Sequence, residues 1–401
     1  MTLLSKCILA GYGILHILFI LLLDRQLKEH FRNRPAYRSI RPAWIIAFAA
    51  AAAVPVAGVF FPEGAVSLFL QRIGSVFLAF DLHIAGLFLL LSFVLWILSF
   101  FFHDRSAGNR SFVLLPSWLL ILILAAGIVI PIYGMYHAQD TTVHFFQADL
   151  RDTDAASRQN LRIALISDLH LSVNSHLQTT ENMVRLINEQ EPDVVLVAGD
   201  IFTSSYAALR EPENYAAALR GIHAPMGVFA VYGNHDVEET LFSGFAVHPV
   251  SQAFRTDQIE QFFEECNFTI LYDEVTEIAG GAVRLAGRID GNKAGDGTRN
   301  RLTPAGLLQN SDPSKPLLVL EHEPVEYKEL AEAGADMVLS GHTHDGQIFP
   351  ANLFIKLLNE NSCGQKELYG METFVSSGVG TFGPPMRTGT DSEIMIIDML
   401  C

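Results

Sequence analysis

Four apolar stretches in the first third of the chain, at about 7–23, 43–61, 76–102 and 112–136, are each long enough to cross a bilayer. Almost no charge interrupts them, and the 401-residue chain divides accordingly. Residues 1–136 carry 10 Lys/Arg against 5 Asp/Glu, net +5, whereas residues 137–401 carry 17 against 38, net −21. One such run could be a buried core helix. Four in succession predict an all-α transmembrane region of four helices over residues 1–136. The first run follows Lys6, as in a signal peptide, but it lacks a small-residue cleavage site, so an uncleaved helix is expected. Trp44, Trp96, Trp118, Tyr133 and Tyr136 lie towards the run ends or beside them, as interfacial anchors do.

Loop charge orients these spans. Asp24–Pro42 holds Arg25, Lys28, Arg32, Arg34, Arg38 and Arg41, and the loop before the fourth run holds Arg105 and Arg110. The positive-inside rule puts both loops in the cytoplasm. An even number of spans then places both termini, and everything after residue 136, outside the cytoplasm. Asp81 and His83 read as residues near the start of the third span that reach water, rather than as a polar site in the bundle. Cys7, Cys266, Cys363 and Cys401 show no metal spacing.

Residues 137–160 read as a linker: an alternating segment, VHFFQADL, followed by polar Arg151–Asn160. From residue 161 to 401, strand-like runs alternate with helical patterns, which predicts an α/β domain. Ala282–Asp290 and the stretches 373–377 and 393–399 are expected in its second sheet. Five of the runs end in ionisable or amide side chains. LRIALIS precedes Asp168-Leu169-His170, DVVLVAG precedes Asp200, and GVFAVYG precedes Asn234-His235-Asp236. PLLVLE precedes His322, and DMVLSG precedes His342-Thr343-His344. Open α/β sheets gather ligands beyond the carboxyl ends of their strands. Oxygen and imidazole donors delivered there suit two divalent ions such as Mn, Fe or Zn, with Mg also compatible. The charge of −21 argues against a nucleic-acid partner, which would need clustered cations. A small anionic substrate steered by the ions is compatible with it.

The ordered series D-x-H, G-D, G-N-H-D, lone H and G-H-x-H resembles the calcineurin-like metallophosphoesterases, over roughly Leu161 to Met399. The resemblance implies an αββα sandwich, a bimetal centre and hydrolysis of a phosphate ester. GHTHDGQ at 341–347 is similar to the GHTHGGQ of a bacterial membrane-associated branch that includes enzymes acting on lipid and nucleotide-lipid pyrophosphates; Asp345 stands where that branch usually has Gly. By resemblance, Asp168, His170 and His344 bind one metal, Asn234, His322 and His342 the other, and Asp200 bridges them. A water between such ions becomes a hydroxide near neutral pH and attacks phosphorus in line. His235 is then the catalytic histidine that stabilises or protonates the leaving oxygen.

Three further positions carry two readings each. Asp236 orients His235 or is an ordinary surface residue. Arg387, in a glycine-rich late loop, contacts a substrate phosphate or is solvated. Residues 352–360 (NLFIKLLNE) form an amphipathic segment that is either a flap touching lipid or a helix packed on the core. The expected protein is a membrane-anchored, two-metal phosphoesterase cutting a phosphodiester or pyrophosphate bond in a lipid-linked or small-molecule substrate. The alternatives are a phosphodiesterase or phosphomonoesterase of soluble nucleotides, and a non-catalytic membrane binding protein. All seven metal positions and His235 are present, which speaks against the last.

Overall fold

Each apolar run becomes a helix, since backbone polar groups in lipid must find partners within their own segment. The computed structural model describes residues 3–32, 35–61, 64–102, 115–150, 160–203, 205–246, 250–309 and 312–400. These divide into two units, Met1–Gly134 and Met135–Cys401. Arg34, Arg105, Arg110, residues 151–159 of the expected linker and Cys401 lie outside the described residues.

The first unit consists of α1 (Leu3–His30), α2 (Pro35–Ala57), α3 (Ala65–Phe102) and the greater part of α4 (Ser117–His137). All four contain a stretch long and apolar enough to cross a membrane. Phe19, Ala85, Phe88 and Ile123 form their buried core. The third helix begins at Ala65, well before the expected 76, and its 38 residues extend about 57 Å at 1.5 Å each. Asp81 is therefore near the middle of the helix, where the sequence reading had put it close to water. It is buried, with Oδ1 2.8 Å from His16 Nε2, and it accepts a hydrogen bond from Tyr12 at 3.2 Å. A carboxylate at that depth needs partners from another helix, and α1 supplies both. His83 bonds the Ala79 carbonyl one turn back, at 2.7 Å. Between α1 and α2, Arg41 makes a two-pronged contact with Asp24, at 2.6 and 2.7 Å.

The second unit runs in chain order β1 (Thr141–Asp149), β2 (Asn160–Ile166), α5 (Leu177–Glu189), β3 (Val194–Ala198), α6 (Pro212–Leu219), β4 (Val228–Val231), and a hairpin of β5 (Leu241–Phe242) and β6 (Phe245–Ala246). There follow α7 (Asp257–Glu265), β7 (Thr269–Ile270), β8 (Glu274–Ile278), β9 (Val283–Gly287), α8 (Pro304–Leu308), β10 (Leu317–Leu320) and α9 (Tyr327–Glu332). The unit ends with β11 (Met337–Ser340), α10 (Ala351–Leu358), β12 (Gly364–Leu368), β13 (Met371–Val375) and β14 (Ser392–Leu400). Two six-stranded sheets result, ordered β1-β14-β2-β3-β4-β7 and β12-β13-β11-β10-β9-β8.

Alternation along the strands sorts side chains into layers. Ile163 and Leu165 of β2 point between the sheets, against Leu318, Leu320, Leu339 and Phe374. Their neighbours Ala164 and Ile166 face the opposite way, with Met183, Ile187, Leu219 and Phe262 of α5, α6 and α7. On the second sheet Val319 and Val338 meet Leu307, Tyr327 and Leu330 of α8 and α9. The arrangement is the expected αββα sandwich.

Two expectations about the edges change. The segment read as a linker contains β1, whose nine residues pair in parallel with β14 from Thr141↔Ser392 to Asp149↔Leu400. The stretch 393–399, assigned to the second sheet, lies in the first, where it also pairs antiparallel with β2. The pattern of an apolar strand reports which faces are buried, and both sheets bury both faces. It carries no information about which sheet supplies the neighbour.

The Asp81–His16 pair generates a prediction. Replacing Asp81 by Leu leaves His16 buried without its partner, and should cost roughly 1–3 kcal/mol of stability. The double replacement H16L/D81L should recover most of that loss. Thermal unfolding of the detergent-solubilised chain would measure both.

Candidate metal centre

The sequence-predicted residues are carried by the first positions after β2, β3, β4, β10 and β11. Within each sheet these strands run parallel, so their carboxyl ends share one edge. Backbone bonds lace the loops together there. Asp168 N donates to Gly199 O at 2.9 Å, His170 N to Asp200 O at 3.0 Å, and Gly341 N to His322 O at 3.0 Å. The turns are sharp enough to push Asp168 (φ 53°), His170 (48°), Asp200 (52°), His342 (72°) and His344 (52°) into left-handed backbone conformations. Non-glycine residues held there cost of order 1–3 kcal/mol each, and such strain concentrates at functional sites. At Gly233 a Cβ would lie 2.5 Å from Asp200 N, and at Gly341 it would strike the Asp168 carboxylate, so both need glycine.

Two groups of donor atoms result. In the first, Asp168, His170 and His344 converge. The Nε2 atoms of His170 and His344 stand 3.0 Å apart, and His344 Nε2 is 3.3 Å from Asp168 Oδ1. Two imidazole nitrogens about 2.1 Å from a shared ion lie roughly 3–3.4 Å apart, so this spacing fits a metal. In the second, Asp200, His322 and His342 converge, with Asn234 beside them. His322 Nε2 lies 3.1 Å from Asp200 Oδ2, 3.0 Å from Asn234 Oδ1 and 3.1 Å from His342 Nδ1. Its other nitrogen, Nδ1, donates to the Ala198 carbonyl at 2.8 Å. A cation that replaces the proton on Nε2 would take that nitrogen's lone pair together with the neighbouring Asp200 and Asn234 oxygens. Asp200 Oδ2 is also 3.7 Å from His170 Nε2, so one carboxylate oxygen reaches both groups.

Burial controls the charge. It pushes His170 down to about 3 and His342 down to about 4, and holds His344 well below the ordinary imidazole range. These rings are neutral near pH 7, the form that binds metal. At His322 burial opposes charge as well, but the carboxylates of Asp200, Asp168 and Asp290 outweigh it and hold the ring well above its usual range. The centre of the site attracts positive charge.

Around the donors, several residues differ from their sequence readings. His235 Nδ1 is 2.9 Å from Glu239 Oε2, and Glu239 accepts a second bond from Lys293 Nζ at 2.5 Å. Burial raises the pKa of Glu239, but His235 and Lys293 outweigh it and keep the carboxyl ionised. Glu239, unrecognised in the sequence, thus holds the place proposed for Asp236. Asp236 is itself fully buried, and its two oxygens accept the backbone N–H groups of Phe202 and Gly233, both at 2.8 Å. It fastens the loop after β3 to the loop after β4.

Arg387 is 0 % exposed and is not available to a substrate. Its guanidinium donates to the carbonyls of Ser377, Gly378 and Gly380 at 2.7, 3.0 and 2.7 Å and lies 3.4 Å from His344 Nδ1. It braces the loop that backs the first donor group, and burial brings its pKa down to about 10. Phe382, also missed, packs at a tilt beside His235 and His170 with ring centroids 4.5 and 5.2 Å away. Asp345 has φ 45°, which explains physically why glycine is comfortable at that position.

Metal binding should be measurable independently of turnover. Mn²⁺ added to metal-stripped protein, at about a hundred times its Kd, raises unfolding free energy by about 2.7 kcal/mol per site. Asp200→Asn, which weakens an oxygen that reaches both groups, should abolish most of that gain. Differential scanning fluorimetry in detergent would follow it.

Comparison with known proteins agrees with this geometry. The calcineurin-like phosphoesterase family model matches residues 161–346. An uncharacterised metallophosphoesterase of Aquifex aeolicus is 31% identical over 239 residues, covering 59% of this chain and 84% of its own length. Another, from Helicobacter pylori, is 29% identical over 252 residues, or 60% of each chain, so this chain spans about three-fifths of that relative. A Bos taurus relative described as a transmembrane protein with metallophosphoesterase domain is 31% identical over 59% of this chain and 52% of its own. This chain is a membrane protein of the calcineurin-like metallophosphoesterase family.

Proposed function

We propose that the chain hydrolyses a phosphodiester or pyrophosphate bond in a lipid-borne phosphate substrate. Asp168, His170, Asp200, Asn234, His322, His342 and His344 would hold two divalent ions, with Mn, Fe or Zn favoured by the mixed oxygen and imidazole donors. The observation that carries this reading is Asp200 Oδ2, within reach of both donor groups, with the His235 ring only 5.7 Å from that of His170. Two ions bound there would activate water near neutral pH and neutralise charge on the phosphoryl oxygens.

The protein's own residues do the rest. Glu239 anchors His235 through Nδ1, which leaves Nε2 to deliver a proton to the leaving oxygen as its bond to phosphorus breaks. Lys293 keeps Glu239 charged and in place. Asn234 contributes an oxygen without adding negative charge beside Asp200 and Asp168. Phe382 covers one side of the His235 ring and limits access of bulk water.

Tethering supports the substrate class. Three residues, 138–140, separate α4 from β1, so the catalytic unit begins almost at the membrane. Substrates held in the bilayer are concentrated around such a site, while the excess of acidic residues disfavours nucleic acid. The basic residues between α1 and α2 support a cytoplasmic position for that loop, hence a catalytic unit outside the cytoplasm of a bacterial inner membrane.

Full-length protein, stripped and reloaded with Mn²⁺, should turn over a lipid pyrophosphate or lipid phosphodiester faster than a soluble nucleotide diester or monoester. The reverse preference would sink the lipid assignment. His235→Ala should lower kcat by about 10²–10⁴ while both metals remain bound, counted by elemental analysis. Glu239→Gln should lower it roughly 10–100-fold. Alkaline phosphatase fused after Cys401 should be active if the proposed topology holds.

A further inference from the structure

We infer that α10 is a membrane-docking helix, whose outer face enters the surface of the bilayer that anchors the chain and holds the metal centre beside it. The helix buries Asn352 against the protein and turns most of its large apolar residues away from it. Asn352 is 9 % exposed and donates to the Gly389 carbonyl at 3.2 Å. Leu357 and Leu358 are 82 % and 79 % exposed, and Leu353, Phe354 and the preceding Phe349 are more than half exposed. With 3.6 residues per turn, 353 and 357 fall in one row and 354 and 358 in the next, forming one continuous apolar stripe along α10. A helix on a globular core buries such a stripe; this one presents it outward.

The surroundings identify a bilayer as the occupant. The last turn of α4 ends at His137, whose Nε2 lies 3.0 Å from Asp391 Oδ1. Exposed Tyr136 precedes it by one residue, at the end of a helix able to span a membrane, where aromatic side chains mark the interface. Asp391 closes a short loop whose other residues carry α10: Phe349 N donates to Thr388 O at 2.9 Å, and Gly389 O receives Asn352. The end of α4 and the apolar helix are therefore fastened to the same four-residue loop. Lys356, on the flank of the stripe with its side chain 54% exposed, can lift its ammonium to lipid phosphates, as interfacial lysines do. It stands 3.8 Å from Asp345, the neighbour of His344, which links the docking face to the first donor group.

The test reads location rather than turnover, so it stands even if the reaction proposed above is wrong. Full-length protein with a nitroxide at Leu357→Cys is reconstituted in phosphatidylcholine/phosphatidylglycerol nanodiscs, with Cys7, Cys363 and Cys401 replaced by Ser and buried Cys266 kept. High accessibility to oxygen and low accessibility to a water-soluble nickel chelate is expected. Preference for the chelate overturns the proposal, and shielding from both does so too, because protein then covers the helix. A second measurement needs no substitution: wild-type chain in vesicles containing a photoactivatable phospholipid should be cross-linked within residues 349–358. Cross-links confined to α1–α4 would overturn it. If the reaction is as proposed, L357E/L358E should lose at least about tenfold in turnover of a lipid phosphodiester and little with a soluble one.

Discussion

Asp200 is the group on which the rest of this structure depends. A carboxylate removed from water beside a second one, Asp168, costs several kcal/mol unless positive charge answers it. The fold responds on every side: backbone N–H of His235 donates to Asp200 at 2.8 Å, His322 comes within 3.1 Å, and neutral imidazoles supply lone pairs to anything bound between. Five residues in left-handed conformations and two glycines without room for a Cβ allow the surrounding loops to close this tightly. Metal ions would relieve the repulsion that the protein has assembled, so the site's cost in stability and its affinity for cations have one origin.

The sandwich provides the stiffness for such an arrangement. Both sheets bury both faces, and the strands carrying the donors lie inside them, bordered on each side by hydrogen-bonded neighbours. Beyond the donors, Glu239, Lys293, Asp236 and Arg387 lock what the ligands need: one holds a histidine's tautomer, one its partner's charge, and two tie loops by their backbone atoms. Outer groups of this kind set orientation, and orientation is much of what distinguishes a working site from a collection of ligands.

Much of the site was legible because its signals are local. A β-branched run followed at once by Asp-x-His or Gly-Asp states both a strand and what its end presents, and five such pieces in order pointed to the candidate donor set. The apolar helices were equally plain, since lipid demands about 20 uninterrupted apolar residues. Other roles depended on partners far along the chain. Arg387, in a glycine-rich loop, read as a phosphate contact or a solvated side chain; here five nearby carbonyl and imidazole atoms surround it. Asp236 was adjacent to His235, yet Glu239, four residues on, turned back to it. Asp81 became a buried partner of His16, 65 positions away.

The sequence by itself therefore determined the long apolar helices, the α/β alternation and the phosphoesterase family, and it marked the seven candidate donor positions, all of which are written in contiguous residues. Tertiary structure alone decided that β14 joins the first sheet, that β1 belongs to it, that Arg387 is a strut, and that the apolar side of α10 faces outward. The physical reason is the same in each case. Periodicity and composition report how much of a segment is apolar and on which side, but the neighbour that covers that side, or leaves it open, is chosen only when distant segments compete for the same space.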